Sequence, residues 1–80
     1  MFYLGVDVAK KTLDCMLLDT SSGKLKSKAS IPNTAAGFAL LLEWLRKNNA
    51  LNPHVVMEPT GMYHEAAALA LADAGLAVSL

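Results

Sequence analysis

The stretch VVMEPTGMYHEAA, residues 55–67, decides how this chain is read. An apolar run, Val55-Val56-Met57, ends on a carboxylate, Glu58, and Pro59, Thr60 and Gly61 follow at once, ahead of an alanine-rich segment. An apolar run without alternation reads as a strand buried on both faces, hence central in a sheet and parallel to a neighbour. Pro59 biases Glu58 towards extended backbone, Thr60 is a candidate helix cap, and Gly61 allows close backbone approach. A helix is expected over residues 61–74, with Gly75 in the terminating position. AAALALADA is apolar all round except for Asp73, so the helix is expected to be covered on more than one face. Leu69, Leu71 and Val78 are expected in or beside an apolar surface completed by another chain or segment. Residues 76–80 read as a further strand.

Upstream, residues 2–8 alternate, with Phe2, Leu4, Val6 and Val8 on one side and Tyr3, Gly5 and Asp7 on the other. Residues 9–11 form a tight link to a second strand over residues 12–20, in which Cys15 alternates with Leu13 and Leu17 as a small core residue. Ser21-Ser22-Gly23 is turn chemistry. The third strand, KLKSKASI, places Lys24, Lys26, Lys28 and Ser30 on one face and Leu25, Ser27, Ala29 and Ile31 on the other. Three lysines suit a sheet edge, where charge deters pairing with other chains, and they are equally placed to touch a nucleic-acid backbone. Thr34 is a candidate cap for a helix whose stripe is Phe38, Leu41, Leu42 and Leu45. Leu40 and Trp44 flank that stripe as packing residues, Arg46-Lys47 suit its C-terminal dipole, and Asn48-Asn49 can close it. The order is βββαβαβ: an α/β fold with a mixed five-stranded sheet, a meander followed by right-handed crossovers.

Eighty residues hold at most one domain. Apolar residues are 54 % and charged residues 18 %, rich for so small a chain, and the last residues read as strand, so an N-terminal piece of a longer protein is expected. The formal net charge of zero argues against a strong non-specific nucleic-acid binder acting alone. One cysteine cannot form an internal disulfide, which makes a reducing cytoplasm the default. There is no apolar run of about 18 residues to span a membrane and no signal-peptide pattern at the N-terminus.

Asp7, late in the first strand, and Glu58, ending the fourth, carry the chemistry. If those strands are parallel neighbours, both carboxylates emerge at one edge of the sheet. Two close anions need a proton or a cation between them, and a hard divalent ion, Mg²⁺ or Mn²⁺, is the natural partner. Such an ion activates water and clamps a transferring phosphoryl group. The plainer alternatives are a solvated strand-end acid for Asp7 and an acid favoured by the following helix dipole for Glu58. Lys10 and Lys11 are either a solvated turn or phosphate contacts, and Tyr63 either packs or lies near the site. His54 and His64, ten residues apart with no paired cysteine, lack zinc-ligand spacing and read as structural or solvated.

YLGVDVAKKTLD, followed some fifty residues later by VVMEPTGMYHEAAALALADAGLAVSL, resembles the N-terminal part of transposases of the insertion-sequence 110 family, relatives of the Piv-type DNA invertases, across essentially all 80 residues. The resemblance implies a ribonuclease H-like domain similar to RuvC, a Holliday-junction nuclease, of which residues 1–80 are the N-terminal part. It also implies four Mg²⁺-binding acids in the order Asp, Glu, Asp, Asp. The first aligns with Asp7 and the second with Glu58; the last two, and a second domain with a serine implicated in strand exchange, lie outside these residues. This piece alone is accordingly expected to be inactive. The same resemblance implies DNA contacts around Lys10, Lys11, Thr60, Gly61 and Tyr63, recombination guided by a structured RNA from the element, a homo-oligomer, and a bacterial or archaeal cytoplasm. Two rivals stand beside it. Sugar kinases and other actin-like ATPases also begin with a hairpin carrying an early Asp, but normally with glycine just after it, where Asp7 is followed by Val8-Ala9-Lys10-Lys11. A non-catalytic interaction domain of the same fold is the other, and acids on a late helix would argue against it.

Overall fold

The computed structural model describes residues 1–58 and 61–80. Among them the elements are β1 (Phe2–Val8), β2 (Thr12–Asp19), β3 (Lys24–Pro32), α1 (Ala35–Lys47), β4 (His54–Met57), α2 (Glu65–Asp73) and β5 (Ala77–Ser79). The sheet order is β3-β2-β1-β4-β5. β1 to β3 form the expected antiparallel meander, and β4 runs parallel to both β1 and β5.

The crossovers through α1 and α2 both step across the sheet in the same direction, so crossovers of one hand carry both helices to one face. Leu4, Val6, Val8, Leu13, Cys15, Leu17, Val55 and Met57 point to that face and join Phe38, Leu41, Leu45, Ala67 and Leu71 in a single core. Burying each leucine there contributes roughly 1.5–3 kcal/mol. The opposite sheet face is open. β4 is therefore central but not buried on both faces as its composition suggests: Val55 and Met57 are buried, while Val56 is 49 % exposed on the open side. α2 is likewise covered on one side only. Leu71 belongs to the core rather than to an outer apolar surface, Leu69 is 64 % exposed, and Val78 is partly buried against the core.

β3 departs from simple alternation. Lys28 pairs with Cys15 and Lys26 with Leu17, so the lysines occupy the helix side of the edge strand. The Lys26 ammonium donates to Asn48 Oδ1 at the end of α1 (2.7 Å). A β-bulge lies between Leu13 and Cys15, with Ser30 at φ 58 and its N–H donating to Asp14 Oδ1 at 2.8 Å. The extra residue inverts the side-chain parity. Ile31 then faces Leu13 in the core, on the same side as the lysines and not on the opposite one.

Thr34 caps α1 as expected, its hydroxyl accepting from Gly37 N–H at 3.1 Å. The helix closes with Asn49 at φ 58, where Asn49 N–H donates to Arg46 O and Ala50 N–H to Leu45 O, the Schellman pattern. Leu40 is exposed and only Trp44 of that pair packs on the core. α2 ends the same way, with Gly75 at φ 90 and Leu76 N–H donating to Leu71 O. Its start is later than the sequence suggests. Gly61 has φ 65, outside helical geometry, residues 61–64 are turn, and His64 is the cap. The capping role of Thr60 and the effect of Pro59 lie outside the described residues.

Cys15 is 3 % exposed. Burial, with a smaller push from the Asp14 charge, raises its thiol from 9.0 to about 12. A folded-state pKa above the unfolded one makes this a contribution to stability that is complete below pH 9 and lost as pH climbs towards 12. We expect native protein at pH 8 to leave Cys15 unlabelled by a thiol reagent, and the denaturation midpoint to fall from pH 9 to 11. Cys15→Ala should flatten that fall; equal slopes in both proteins would count against the assignment.

Candidate metal centre

The parallel ladder between β1 and β4 runs from Tyr3↔His54 to Val6↔Met57. Asp7 and Glu58 are the next residues on two neighbouring strands, whose axes lie about 4.8 Å apart. Each follows a buried residue, Val6 or Met57, and so turns to the open face. Both line one open cleft of about 660 Å³, with Gly5, Asp14, Met16 and Val56 around it. Gly5 keeps its floor low: a Cβ there would meet only Met16 O, at 3.9 Å.

Asp14 was not singled out in the sequence. It sits directly opposite Asp7 across the β1–β2 hairpin and lines the same cleft. The signal was available, because a three-residue link fixes the register at Val8↔Leu13 and hence Asp7↔Asp14. Like charges directly opposite repel, so three carboxylates at one cleft favour a cation. Among the described residues the ion pair formed is Arg46–Glu43, remote from the cleft in sequence and on α1, and no three potential ligands converge to hold a metal ion. One Asp14 oxygen is engaged by Ser30, which makes Asp14 a source of field rather than a third ligand. The helix-dipole account of Glu58 weakens, since α2 begins at Glu65 and Glu65 occupies its first turn; the dipole acts within about one turn.

A family model described as Transposase, DEDD_Tnp_IS110, matches residues 4–80. The chain belongs to this transposase family. No curated protein matches it. Among solved structures it is similar to ethanolamine utilization protein EutJ from Carboxydothermus hydrogenoformans, at 16 % identity and a TM-score of 0.44, over 98 % of this chain and 35 % of that one. The chain thus spans about a third of the length of that protein.

A transposase acts on DNA, and the turns beside Asp7 and Glu58 are where a strand would pass. Lys10 and Lys11 are exposed in the β1–β2 turn, closed by Ala9 N–H donating to Thr12 O at 2.9 Å. Tyr63 is exposed in the turn before α2, not in the helix. Gly61 shares that turn, where a Cβ would meet nothing within 4 Å. Its glycine therefore answers the left-handed φ and not a close approach. Thr60 lies outside the described residues. His54 sits at the far end of β4, its Nε2 2.8 Å from Ser79 Oγ, away from the carboxylates. In this transposase chain no helix among the described residues is long and apolar enough to cross a membrane.

Proposed function

We propose that this transposase domain supplies Asp7 and Glu58 as two of the acids of a Mg²⁺ or Mn²⁺ site used for DNA strand cleavage and exchange in the movement of an insertion sequence. The observation that carries the reading is the placement of both carboxylates side by side on adjacent parallel strands, over one open cleft. The donor chemistry fits. Mg²⁺ takes carboxylate oxygens, keeps several waters, and is bound through one or two carboxylates together with substrate phosphates. When bound, the cation supplies activation of water and neutralisation of charge on the phosphoryl group. Asp7 and Glu58 hold it and place it over Gly5, where phosphate has room. Lys10 and Lys11, two and three residues past Val8, reach towards the backbone of the same strand. The mixed sheet is compatible with a ribonuclease H-like, RuvC-like domain, completed by further acids outside these residues. A structured RNA from the element as guide, a homo-oligomeric assembly and a cytoplasmic location complete the proposal and rest on the family alone.

Glu58→Gln in the full-length protein tests the site. It keeps the shape and removes the charge, and strand cleavage should fall by at least about 10²-fold, the scale on which losing one group that stabilises transition-state charge is felt. Cleavage within twofold of wild type would remove Glu58 from the mechanism.

A further inference from the structure

We propose that Asn33 is a positioning residue that sets the spacing of Asp7 and Glu58 by tying together the two turns behind them. The inference rests on the metal site proposed above.

Asn33 lies at the junction of β3 and α1. Its Nδ2 donates to Ala9 O and to Tyr63 O, each at 3.0 Å, and its backbone N–H donates to Lys11 O at 2.8 Å. The amide orientation is unambiguous, because both side-chain partners are carbonyl oxygens and only the nitrogen carries hydrogens. Three bonds from one residue therefore hold the β1–β2 turn, which leaves Asp7 two residues before Ala9, against the β4–α2 turn, which leaves Glu58 five residues before Tyr63. Ladder pairing alone does not fix these carboxylates relative to each other. The β1–β4 register stops at Val6↔Met57, one residue short of both. Something beyond the sheet edge must set the separation, and among the described residues Asn33 is the side chain that spans the two turns.

The clasp is itself rigidly mounted. Pro32, the last residue of β3, lies so close to Gly37 that a Cβ there would meet Pro32 O at 1.7 Å. Thr34, the next residue on, caps α1. Asn33 is thus held between a strand end and a helix start whose places are set by the core. Displacing its amide would let the β4–α2 turn swing relative to β1 while sheet and helices stay intact. That is the behaviour of an outer support: it touches neither metal nor substrate, and fixes the groups that do.

Asn33→Asp tests this, since it is isosteric and turns an oxygen towards the two carbonyls in place of the donors. Three full-length proteins are compared: wild type, Asn33→Asp and Asp7→Asn. Mn²⁺ binding is followed by the electron paramagnetic resonance of the free ion, and thermal unfolding is recorded without metal. We expect Asn33→Asp to remain folded and to bind Mn²⁺ at least about 10-fold more weakly than wild type, within the 10–100-fold typical of lost outer supports. A lowered melting temperature with unchanged Mn²⁺ affinity would make Asn33 a stability residue and overturn the inference while leaving the metal site standing. Wild-type affinity no better than that of Asp7→Asn would overturn both. Should Asn33→Asp fail to fold, Asn33→Ser takes its place. It keeps a small polar side chain but only one donor, and the same two affinities decide.

Discussion

Gly37→Ala should be the most damaging single-methyl change in this fold. Gly37 occupies the third position of α1, where its N–H is held by the Thr34 hydroxyl. A Cβ added there falls 1.7 Å from Pro32 O and 2.7 Å from Pro32 C. Both obstacles are backbone, so no side-chain rotation relieves the clash. Either α1 lifts from the sheet by more than an ångström, or the end of β3 peels away. The first exposes Phe38, Leu41 and Leu45; the second breaks the pairing of Thr12 with Pro32 and of Leu13 with Ile31. Alanine's better helix propensity returns about 1 kcal/mol, well short of the overpacking cost, here at or above about 3 kcal/mol. Against a total stability of roughly 4–12 kcal/mol for 80 residues, the melting temperature should fall by more than about 10 °C. Circular dichroism during heating checks it, and a variant melting within two degrees of wild type would refute the close approach.

Asp7→Asn should abolish metal-dependent strand cleavage and leave the fold intact. Asparagine has nearly the shape of aspartate, and Asp7 is exposed on the open face, so no core contact is lost. The change removes one of two charged donors at the cleft and with it much of the attraction for a divalent ion. Cleavage by the full-length protein should drop by at least about 10²-fold. Stability without metal should move the other way. Asp7 faces Asp14 across the hairpin and neighbours Glu58; relieving that repulsion is worth a few tenths of a kcal/mol, up to about 1. The two proteins should also respond oppositely to Mn²⁺. Saturation at a hundred times the dissociation constant stabilises a binding protein by about 2.7 kcal/mol, so wild type should melt higher with metal while Asp7→Asn barely shifts. Equal metal-induced shifts in both would sink the role of Asp7 even if cleavage fell.

What the sequence by itself determined was local. Alternation in residues 2–8 fixed β1 and its buried side. The stripe of Phe38, Leu41 and Leu45, with Thr34 before it and Asn48-Asn49 after it, fixed α1 to within a residue, because side-chain period and cap chemistry both report backbone dihedrals at the site itself. The apolar Val55-Val56-Met57 placed β4 centrally and parallel, which brought Asp7 and Glu58 to one edge. Only the tertiary structure decided the rest. Val56 is as apolar as Val55, yet it faces the open cleft, since both crossovers put their helices on the other side. Ile31 changed faces because of a bulge held by Asp14 and Ser30, residues sixteen apart. α2 lost its first turn to a left-handed Gly61. Asn33, which as a sequence letter is merely a turn former, acquired its place through bonds to residues twenty-four and thirty positions away. In each case the deciding partner is remote along the chain, and periodicity, which registers only near neighbours, carries no trace of it.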